Sequence, residues 1–355
     1  MAHCEKKCLT ILLTDRCNLE CKYCYCKDDL DSARSINVDF VKCAINDFVD
    51  EGNSLFVRYF GNGEPTVEFE KIKQITEYCR SLDNNATFEL QTNGFFGRAI
   101  LEWVGENIDI VWISYDGTTE VNDFYRPARY GKPVSKTIEG NLQYLSSKVK
   151  QLGVRTTIGE KNIYLQKQII DKMHELGIKY IYSDLMFADV KNKKYYEMEI
   201  DPMEYSRAYL LAHKYAREKD IFYGSFLMIN FDKKTDIFCR ACLPMPHLTT
   251  DGYVSCCDMG YTGGNMDSLI YGKYNEKENK IIYDSQKIEY IKARTVDNLE
   301  ECRTCEAKYY CAGGCIGEVI NENGDIYSVK EKNCEAIRYL LSNLSKNIVI
   351  PVLHP

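Results

Sequence analysis

The sequence predicts an α/β protein: a partial barrel of six βα units followed by a small cysteine-rich domain. In the first half, short runs of apolar and β-branched residues alternate with longer helical stretches, which is typical of a parallel sheet. In the second half, turn residues and cysteines dominate. A chain of 355 residues with 45% hydrophobic content can bury one large core, or one core with a small appended module.

Six strands are predicted in the first half: Cys8–Thr14, Leu55–Phe60, Thr87–Thr92, Ile108–Ser114, Val154–Ile158 and Tyr180–Leu185. Helices are predicted between them near Val38–Glu51, Glu68–Leu82, Gly97–Glu106, Ser135–Leu152 and Leu165–Leu176. Six units are too few to close the common eight-stranded barrel, so we expect an open or partial barrel. Its active site should lie at the carboxyl ends of the strands.

The chain is expected to divide into a partial barrel over residues 1–190, a helical linker over 191–235 and a cysteine-rich domain over 236–355. The linker should contain a helix over Pro202–Lys219. Since the last region is irregular and rich in cysteine, we expect metal, rather than an apolar core, to hold it together.

The net charge and the ends of the chain exclude some classes of partner. A formal charge of -7 gives no general positive field, so nucleic acid is not an expected partner. The first residues fit neither a secretory signal nor a membrane span, which predicts a cytoplasmic protein without a membrane anchor. In that reducing compartment, 17 cysteines favour metal ligation over disulfides.

Three cysteines directly after the first predicted strand, Cys17, Cys21 and Cys24, form a C-x3-C-x2-C motif. Three thiolates can hold three irons of a [4Fe–4S] cluster and leave the fourth iron open to a small ligand. A zinc knuckle or chance clustering would explain the same residues, but structural zinc sites use four ligands.

This motif, with Tyr23 before the third cysteine, resembles the radical S-adenosylmethionine (SAM) superfamily. The resemblance implies that the open iron binds SAM and that electron transfer from the cluster yields a 5′-deoxyadenosyl radical. It also implies that Tyr23 packs near the SAM adenine and that Ser114, at the end of the fourth strand, contacts SAM. From the residues alone, Ser114 could equally cap a turn.

A second motif, GNGEP at Gly61–Pro65, resembles the GGEP of that family, with Asn62 as a departure. The resemblance implies that Gly61, Gly63 and Glu64 contact the SAM amino group. Glycines permit close approach of the backbone to a ligand, although the same residues could form a plain turn. Further along, DGTTEVNDFYRP at Asp116–Pro127 resembles a DGP…HD…R segment, with Asn122 in place of His.

The C-terminal cysteines resemble the SPASM domain of peptide and sulfatase maturases over about Cys239–Cys334. The resemblance implies two auxiliary [4Fe–4S] clusters, making three in all. The outer cluster would be held by Cys302, Cys305, Cys311 and Cys334, and the inner one by Cys242, Cys257 and Cys315. Cys239 is the candidate fourth inner ligand, because a C-x2-C turn suits one metal centre. Two zinc ribbons would account for fewer of the cysteines.

The stretch DGYVSCCD at Asp251–Asp258 resembles the DGxxxPCD motif of sulfatase maturases, which implies that Asp258 is a base. Desolvation beside a cluster would raise its pKa, although a turn-capping Asp is the alternative. Cys256 replaces the Pro of that motif, and Cys26 stands where those maturases have a Tyr. Both cysteines are therefore candidate catalytic residues.

Together these motifs predict a radical SAM enzyme that oxidatively modifies a peptide or protein side chain by crosslinking, thioether formation or dehydrogenation. The auxiliary clusters would carry electrons, and a flavodoxin or ferredoxin would be the electron donor. The alternatives are a peptide epimerase in which Cys26 or Cys256 returns a hydrogen atom, and a dehydrogenase of a small alcohol or sugar. An iron–sulfur electron carrier is the non-enzymatic alternative, although a carrier has no use for an open iron.

Overall fold

One open sheet of eleven strands runs through the computed structural model, which describes residues 7–24, 26, 33–186, 199–259 and 264–344. In chain order the strands are β1 (Leu9–Leu12), β2 (Phe56–Phe60), β3 (Thr87–Thr92), β4 (Ile110–Ser114), β5 (Gln151–Ile158), β6 (Tyr180–Leu185), β7 (Phe222–Gly224), β8 (His247–Leu248), β9 (Tyr253–Ser255), β10 (Ile270–Asn275) and β11 (Lys280–Tyr283). Their order across the sheet is β11-β10-β9-β8-β1-β2-β3-β4-β5-β6-β7, and the strands from β1 to β7 are parallel. The six predicted strands and the open α/β architecture are confirmed.

The helices are α1 (Val38–Asp50), α2 (Phe69–Leu82), α3 (Arg98–Asn107), α4 (Thr119–Tyr125), α5 (Ser135–Leu145), α6 (Gln166–Glu175), α7 (Pro202–Glu218), α8 (Ser285–Lys292), α9 (Lys308–Cys311), α10 (Ile316–Asn323) and α11 (Glu331–Asn343). The predicted helix over Ser135–Leu152 is wrong at its end, because Gln151 already begins β5. That strand pairs with both β4 and β6, and this pairing overrides the helical pattern. In the described part of the chain, no helix has both the length and the apolar character needed to span a membrane.

The two faces of the parallel sheet bury different residues. The outer face packs Ile11, Val57, Leu90 and similar residues under the helices in one large core. On the inner face, a smaller cluster closes the amino-terminal end of the lumen: Cys8, Phe56, Ile110, Trp112 and Tyr182. One pleat further along the same strands the lumen becomes polar, with Arg58, Arg155 and Asp184. The fold therefore gives the lumen an apolar floor and a polar mouth.

The cysteine-rich region continues the main sheet. Its strand β8 lies parallel to β1, with Thr10 opposite His247, and β9, β10 and β11 follow antiparallel. Buried apolar residues of this region belong to the large core, among them Leu248, Val254, Tyr271, Ile316 and Leu340. The region therefore has an apolar core, and the expectation that metal would organise it in place of one is wrong. Its strands are short and carry polar outer residues, so the apolar pattern could not be recognised in the sequence. The division at residues 190 and 235 stays a prediction, and residues 187–198 of the expected barrel end and linker lie outside the described part.

Candidate active site

The cysteine motif lies on a loop that leaves β1 and crosses the mouth of the lumen. Backbone N–H groups of Lys22 and Glu20 donate to the carbonyls of Tyr125 and Pro127, both at 2.8 Å. The end of α4 and the residues after it therefore hold the loop in place. Three half-buried thiols lie on this loop: Cys17, Cys21 and Cys24.

The three thiols lie in each other's electrostatic field. Burial raises the pKa of Cys17 to about 11 and that of Cys21 to about 12, and the charge of Cys24 raises both further, whereas Arg126 lowers them. The Leu19 N–H lies 3.5 Å and Asn93 Nδ2 lies 3.9 Å from the Cys17 sulfur, and both can donate to it. N–H donors and a nearby cation stabilise thiolates that ligate a cluster, so these residues fit that group.

No three His, Cys, Asp or Glu side chains within the described ranges are arranged to hold one metal ion. This finding is compatible with the proposed clusters, because each thiolate of a cluster binds a different iron.

The GNGEP segment after β2 is clamped to the start of the cysteine loop. The Gly63 N–H donates to the Thr14 carbonyl at 3.0 Å, and the Glu64 N–H donates to the Arg16 carbonyl at 2.8 Å. A Cβ atom on Gly63 would lie 2.0 Å from the Arg16 oxygen, and one on Gly61 would lie 3.0 Å from the Gly63 oxygen. Because Gly63 has no side chain, the backbone at Asp15 and Arg16 can pack directly against it. The predicted SAM contacts of both glycines stay predictions.

The Glu64 carboxylate joins the ends of β2 and β3. It accepts hydrogen bonds from the Thr66 N–H and hydroxyl at 3.0 and 2.7 Å, from the Thr92 hydroxyl at 2.6 Å and from the Asn93 N–H at 2.7 Å. Burial raises its pKa, and these hydrogen bonds oppose the rise. All four bonds are internal, so the predicted contact of the carboxylate with SAM also stays a prediction.

Tyr23 belongs to a buried polar network at the mouth. Its hydroxyl donates to Asp116 Oδ2 at 2.5 Å and accepts a hydrogen bond from Arg126 Nη1. Its ring packs edge-on against Tyr125, 5.8 Å between centroids. Ser114 ends β4 on the lumen face of the strand and is half-buried, which leaves its hydroxyl near the mouth. The predicted contacts of Tyr23 with adenine and of Ser114 with SAM are not tested by these distances.

Two buried polar atoms near the loop have no hydrogen-bond partner among the described residues. They are Arg126 Nε, a donor, and Asn62 Oδ1, an acceptor. A buried donor and acceptor without partners are costly unless a ligand or water satisfies them. The amino-acid end of SAM carries a carboxylate and an ammonium group, so the two atoms fit it. The Asn62 departure and Arg126, the arginine of the DGTTEVNDFYRP segment, thereby become candidate SAM-binding residues.

A cavity of about 530 Å³ lies between the mouth of the lumen and the cysteine-rich region. The barrel strands contribute charged residues to its wall: Arg58, Arg155 and Asp184. The cysteine-rich region contributes polar residues and thiols: His247, Asp258, Cys239, Cys256, Cys257 and Cys315. Its volume is in the range that encloses a small ligand or one side chain of a larger one.

Asp258 is paired with His247, a residue that sequence reasoning missed. Asp258 Oδ1 lies 3.0 Å from His247 Nε2, and His247 Nδ1 lies 2.9 Å from the Met245 carbonyl. His247 Nδ1 faces only an acceptor, so it carries a hydrogen. In a neutral ring Nε2 would then be an acceptor, so its contact with the carboxylate requires one further proton on either the imidazole or Asp258. Burial raises the pKa of Asp258, but His247, Arg58 and Arg155 lower it more. The expectation of a raised pKa is therefore wrong.

Asp184 is a second carboxylate of the cavity, and sequence reasoning missed it as well. Its Oδ1 accepts a hydrogen bond from the Phe226 N–H at 2.7 Å. Its Oδ2 is buried without a hydrogen-bond partner in the described structure, with Arg155 Nη2 3.8 Å away. Burial raises the pKa of Asp184 to about 6, against the opposing charge of Arg155. In the sequence, Asp184 is marked only by its place near the carboxyl end of a predicted strand, where the active site is expected.

The expected inner cysteines meet beside this cavity. Cys315 caps the start of α10, and a Cβ atom on Gly317 in its first turn would lie 3.5 Å from the Cys257 sulfur. The charges of Cys242 and Cys315 raise the pKa of Cys239, so its thiol lies near both. Cys242 is almost fully buried behind the cavity wall. Cys239 thus lies near two of the three predicted inner ligands, and its own role as a ligand stays a prediction.

The two candidate catalytic cysteines differ in their surroundings. Cys256 is fully buried, lines the cavity, and has a thiol pKa raised well above its usual value, chiefly by burial. Cys26 is buried too. The position of Cys256 makes it the better placed of the two to reach a molecule in the cavity.

The expected outer cysteines line a second cavity of about 330 Å³. All four predicted ligands are on its wall: Cys302, Cys305, Cys311 and Cys334. Burial raises the pKa of Cys311 to about 12, and the charges of Cys334 and Cys302 add to that effect. Cys315, an expected inner ligand, also lines this cavity, so the division of the eight cysteines between two clusters stays a prediction.

Known proteins resemble this chain over part or all of its length. Residues 11–160 match the model of the radical SAM superfamily. An uncharacterized protein of Methanocaldococcus jannaschii is 31% identical over 50% of this chain, and the match spans 62% of that relative. The cysteine-type anaerobic sulfatase-maturating enzyme of Clostridium novyi is 23% identical over 94% of this chain and 96% of the relative. The structure of anSMEcpe with bound AdoMet and Kp18Cys peptide shares the fold at a TM-score of 0.78 and 17% identity, over 94% of this chain and 96% of that one.

Proposed function

Because residues 11–160 form a radical SAM domain and the chain is an enzyme, we propose that it cleaves SAM and oxidatively modifies a peptide or protein side chain. Radical SAM enzymes use a [4Fe–4S] cluster and SAM, which together supply a 5′-deoxyadenosyl radical that removes a hydrogen atom from carbon. The cluster ligands would be Cys17, Cys21 and Cys24. The residues proposed to hold SAM are Tyr23, Gly61, Asn62, Gly63, Glu64, Ser114 and Arg126.

The observation that carries the proposal is the cavity of about 530 Å³ shared by the barrel and the cysteine-rich region. A substrate in this cavity would lie between the strand ends and the proposed inner ligands. Asp184, Asp258 and Glu318 are carboxylates on its wall near those ligands, and Arg155 is a cation that lowers the pKa of both aspartates. Oxidation of a side chain requires a proton acceptor and an electron acceptor close to the same carbon. The wall of this cavity offers residues for both.

Two auxiliary [4Fe–4S] clusters belong to the same proposal. The inner one would be held by Cys239, Cys242, Cys257 and Cys315, and the outer one by Cys302, Cys305, Cys311 and Cys334. Two observations support that assignment: the four outer cysteines line one cavity, and the Cys239 thiol lies near those of Cys242 and Cys315. Electrons would leave the substrate through the inner site, and reduced flavodoxin or ferredoxin would supply the electron that starts the reaction.

A peptide is the proposed substrate class, since anSMEcpe binds the Kp18Cys peptide in the same fold. The product is expected to differ from that of a sulfatase-maturating enzyme, because Cys26 and Cys256 replace residues of the maturase motifs. A crosslink, a thioether or a dehydrogenated side chain each removes two hydrogens from the peptide. The mass change therefore tests the oxidative class before the product itself has been identified.

The test uses the iron-loaded, dithionite-reduced protein with SAM and candidate peptides, starting with Kp18Cys. We expect 5′-deoxyadenosine to accumulate, and a modified peptide to be lighter by two hydrogens. A variant with Cys17→Ala, Cys21→Ala and Cys24→Ala is the matched control. If the native chain makes no more 5′-deoxyadenosine than this variant, it does not cleave SAM and the proposal fails. Oxidation of a small alcohol, with no peptide modified, would replace the peptide by a small-molecule substrate.

Epimerisation of a peptide is the second candidate function, and the position of Cys256 favours it. Burial holds the Cys256 thiol in its protonated form, which is the form that can donate a hydrogen atom. In deuterated solvent an epimerase would place deuterium at one peptide carbon, and the only mass change would be that label. Cys256→Ala would then abolish labelling. A product lighter by two hydrogens, with no deuterium at carbon, would exclude epimerisation.

A further inference from the structure

Arg294 is a fully buried arginine two residues after the end of α8. Its guanidinium donates three hydrogen bonds to backbone carbonyls. Nε donates to Ile326 at 2.8 Å, Nη2 to Gly313 at 2.9 Å and Nη1 to Ala312 at 3.3 Å. The side chain also lies near the Cys242 thiol. Every direction around the cation is therefore occupied by protein.

No carboxylate oxygen within the described ranges lies within 4.0 Å of the Arg294 guanidinium. A buried charge is costly unless an opposite charge compensates it. Thiols of both proposed cluster sites lie near it, Cys302 on the outer side and Cys242 and Cys315 on the inner side, as does the Tyr327 hydroxyl. Thiolates that held a cluster at either proposed site would supply the missing opposite charge.

The segment that Arg294 holds joins those two sites. Cys311 belongs to the proposed outer cluster and Cys315 to the inner one, and the three residues between them all have positive φ: 48° at Ala312, 79° at Gly313 and 75° at Gly314. A Cβ atom on Gly313 would lie 2.2 Å from Leu299. This conformation turns the carbonyls of residues 312 and 313 toward Arg294. The arginine therefore fixes the direct chain connection between the two groups of cysteines.

We propose that Arg294 is a positioning residue whose single positive charge serves both auxiliary-cluster sites and raises the reduction potential of each. The inference rests on the proposed function, since it requires the two auxiliary clusters. Reduction adds one negative charge to a cluster, and a nearby buried cation stabilises that charge. Net charge and hydrogen bonds to sulfur are the means by which proteins tune cluster potentials. One residue would thus raise the reduction potentials of both auxiliary clusters, through which electrons are proposed to pass.

The experiment measures the reduction potentials of the auxiliary clusters by anaerobic redox titration with electron paramagnetic resonance. The full chain carries Cys17→Ala, Cys21→Ala and Cys24→Ala, so that the auxiliary signals are seen alone. Arg294→Gln removes the charge, and Arg294→Lys keeps it. Arg303→Gln is the matched control, because Arg303 lies between two outer ligands but is 73% exposed. Iron and sulfide per chain are measured for each variant.

We expect Arg294→Gln to lower the equilibrium constant for reduction at least about tenfold at each site, which is about 59 mV for one electron. Arg294→Lys should keep most of the native value, and Arg303→Gln should change it less than about twofold, because solvent screens exposed charges. If Arg294→Gln fails to load auxiliary iron while Arg294→Lys loads it, the charge is again shown to be required.

Three results would overturn the proposal: unchanged potentials in loaded Arg294→Gln, a shift at one site only, or equal loss of iron in the Lys and Gln variants. The last would show that only the geometry of the arginine matters. The background protein carries the three Cys→Ala substitutions and the native Arg294. If this protein bound no iron, the auxiliary clusters themselves would be refuted, and with them that part of the proposed function. The iron content of the background protein thus distinguishes failure of the Arg294 inference from failure of the proposed auxiliary clusters.

Discussion

Replacing Gly63 with alanine should force apart two loops that the protein holds in contact. The new methyl group would lie 2.0 Å from the Arg16 carbonyl oxygen, 2.5 Å from its carbon and 2.7 Å from the Asp15 carbonyl carbon. These are backbone atoms, so no side-chain rotation relieves the clash. Since Cβ contacts below 3.0 Å essentially never occur, the loops must separate by about 1 Å.

The expected loss of stability follows from the contacts at this place. The Gly63 N–H bond to Thr14 and the Glu64 N–H bond to Arg16, at 3.0 and 2.8 Å, would both be stretched or broken. A net hydrogen bond contributes about 1 kcal/mol, and overpacking costs about 1–3 kcal/mol. The free energy of unfolding should therefore fall by about 3–5 kcal/mol. Cys17 follows Arg16 directly, so iron loading at the first motif should fall as well.

The assay is anaerobic urea unfolding of the iron-loaded protein, together with its iron content and its rate of SAM cleavage. Gly140→Ala is the control, because no atom lies within 4 Å of a Cβ built at Gly140. That position is inside α5, where alanine is favoured over glycine by about 0.5–1 kcal/mol. The control should therefore be slightly more stable than the native chain.

A Gly63→Ala protein within 1 kcal/mol of native stability would refute the reasoning. If such a protein had lost SAM cleavage alone, the glycine would serve the ligand and not the contact between loops. The experiment thus separates the role suggested by the sequence from the one suggested by the packing.

Three further substitutions test other parts of the structure. Asp184→Asn should raise the free energy of unfolding by up to about 3 kcal/mol at pH 7, because the shift of the Asp184 pKa from 3.8 to about 6 makes its charged form unfavourable in the folded state. The folded chain then holds more protons than the unfolded one between these pH values, so the gain should shrink as pH falls from 7 and vanish below about pH 4; a gain independent of pH in urea unfolding would contradict this. Glu64→Gln should lower the free energy of unfolding by about 2–4 kcal/mol, because an amide NH2 would face donors that now meet a carboxylate, and a loss below 1 kcal/mol would be inconsistent with the four hydrogen bonds. Gly153→Ala should displace the Trp112 ring, which would lie 2.1 Å from the new Cβ, and an unchanged tryptophan emission spectrum would argue against that contact.

The barrel was predictable because its pattern is local. The bounds of β3 and β6 agree residue for residue with the predicted strands, since both hold aromatic and β-branched residues and each follows a turn, at Asn84–Asn85 and at Gly177. β5 begins three residues earlier than predicted, because Gln151 and Gly153 are poor strand formers that only pairing with neighbours keeps in the sheet. The short strands β7 to β9, of two or three residues each, carry too little periodicity to be seen.

The candidate site divides in the same way. Cysteine spacing is a local signal, so the candidate ligands could be named from the sequence, and their division among clusters stays a prediction. His247, Asp184 and Arg294 carry no motif, and their surroundings depend on residues far away in the chain. His247 meets Asp258 because β8 pairs with β1, and Arg294 meets Gly313 through a turn that only the folded region forms. The pKa of Asp258 was predicted wrongly for the same reason, because Arg58 and Arg155, which help to lower it, lie far from Asp258 in the sequence.

The pairing of β1 with β8 also sets the order in which a ribosome can complete this protein. Thr10 lies opposite His247, so one edge of the first strand stays uncovered until most of the chain has been translated. An uncovered strand edge can pair with other nascent chains. Messages cut short before codon 247 should therefore yield insoluble product, and slower translation through the middle of the gene should lengthen the period of risk. A cluster at the proposed inner site could likewise form only after Cys315 has been translated.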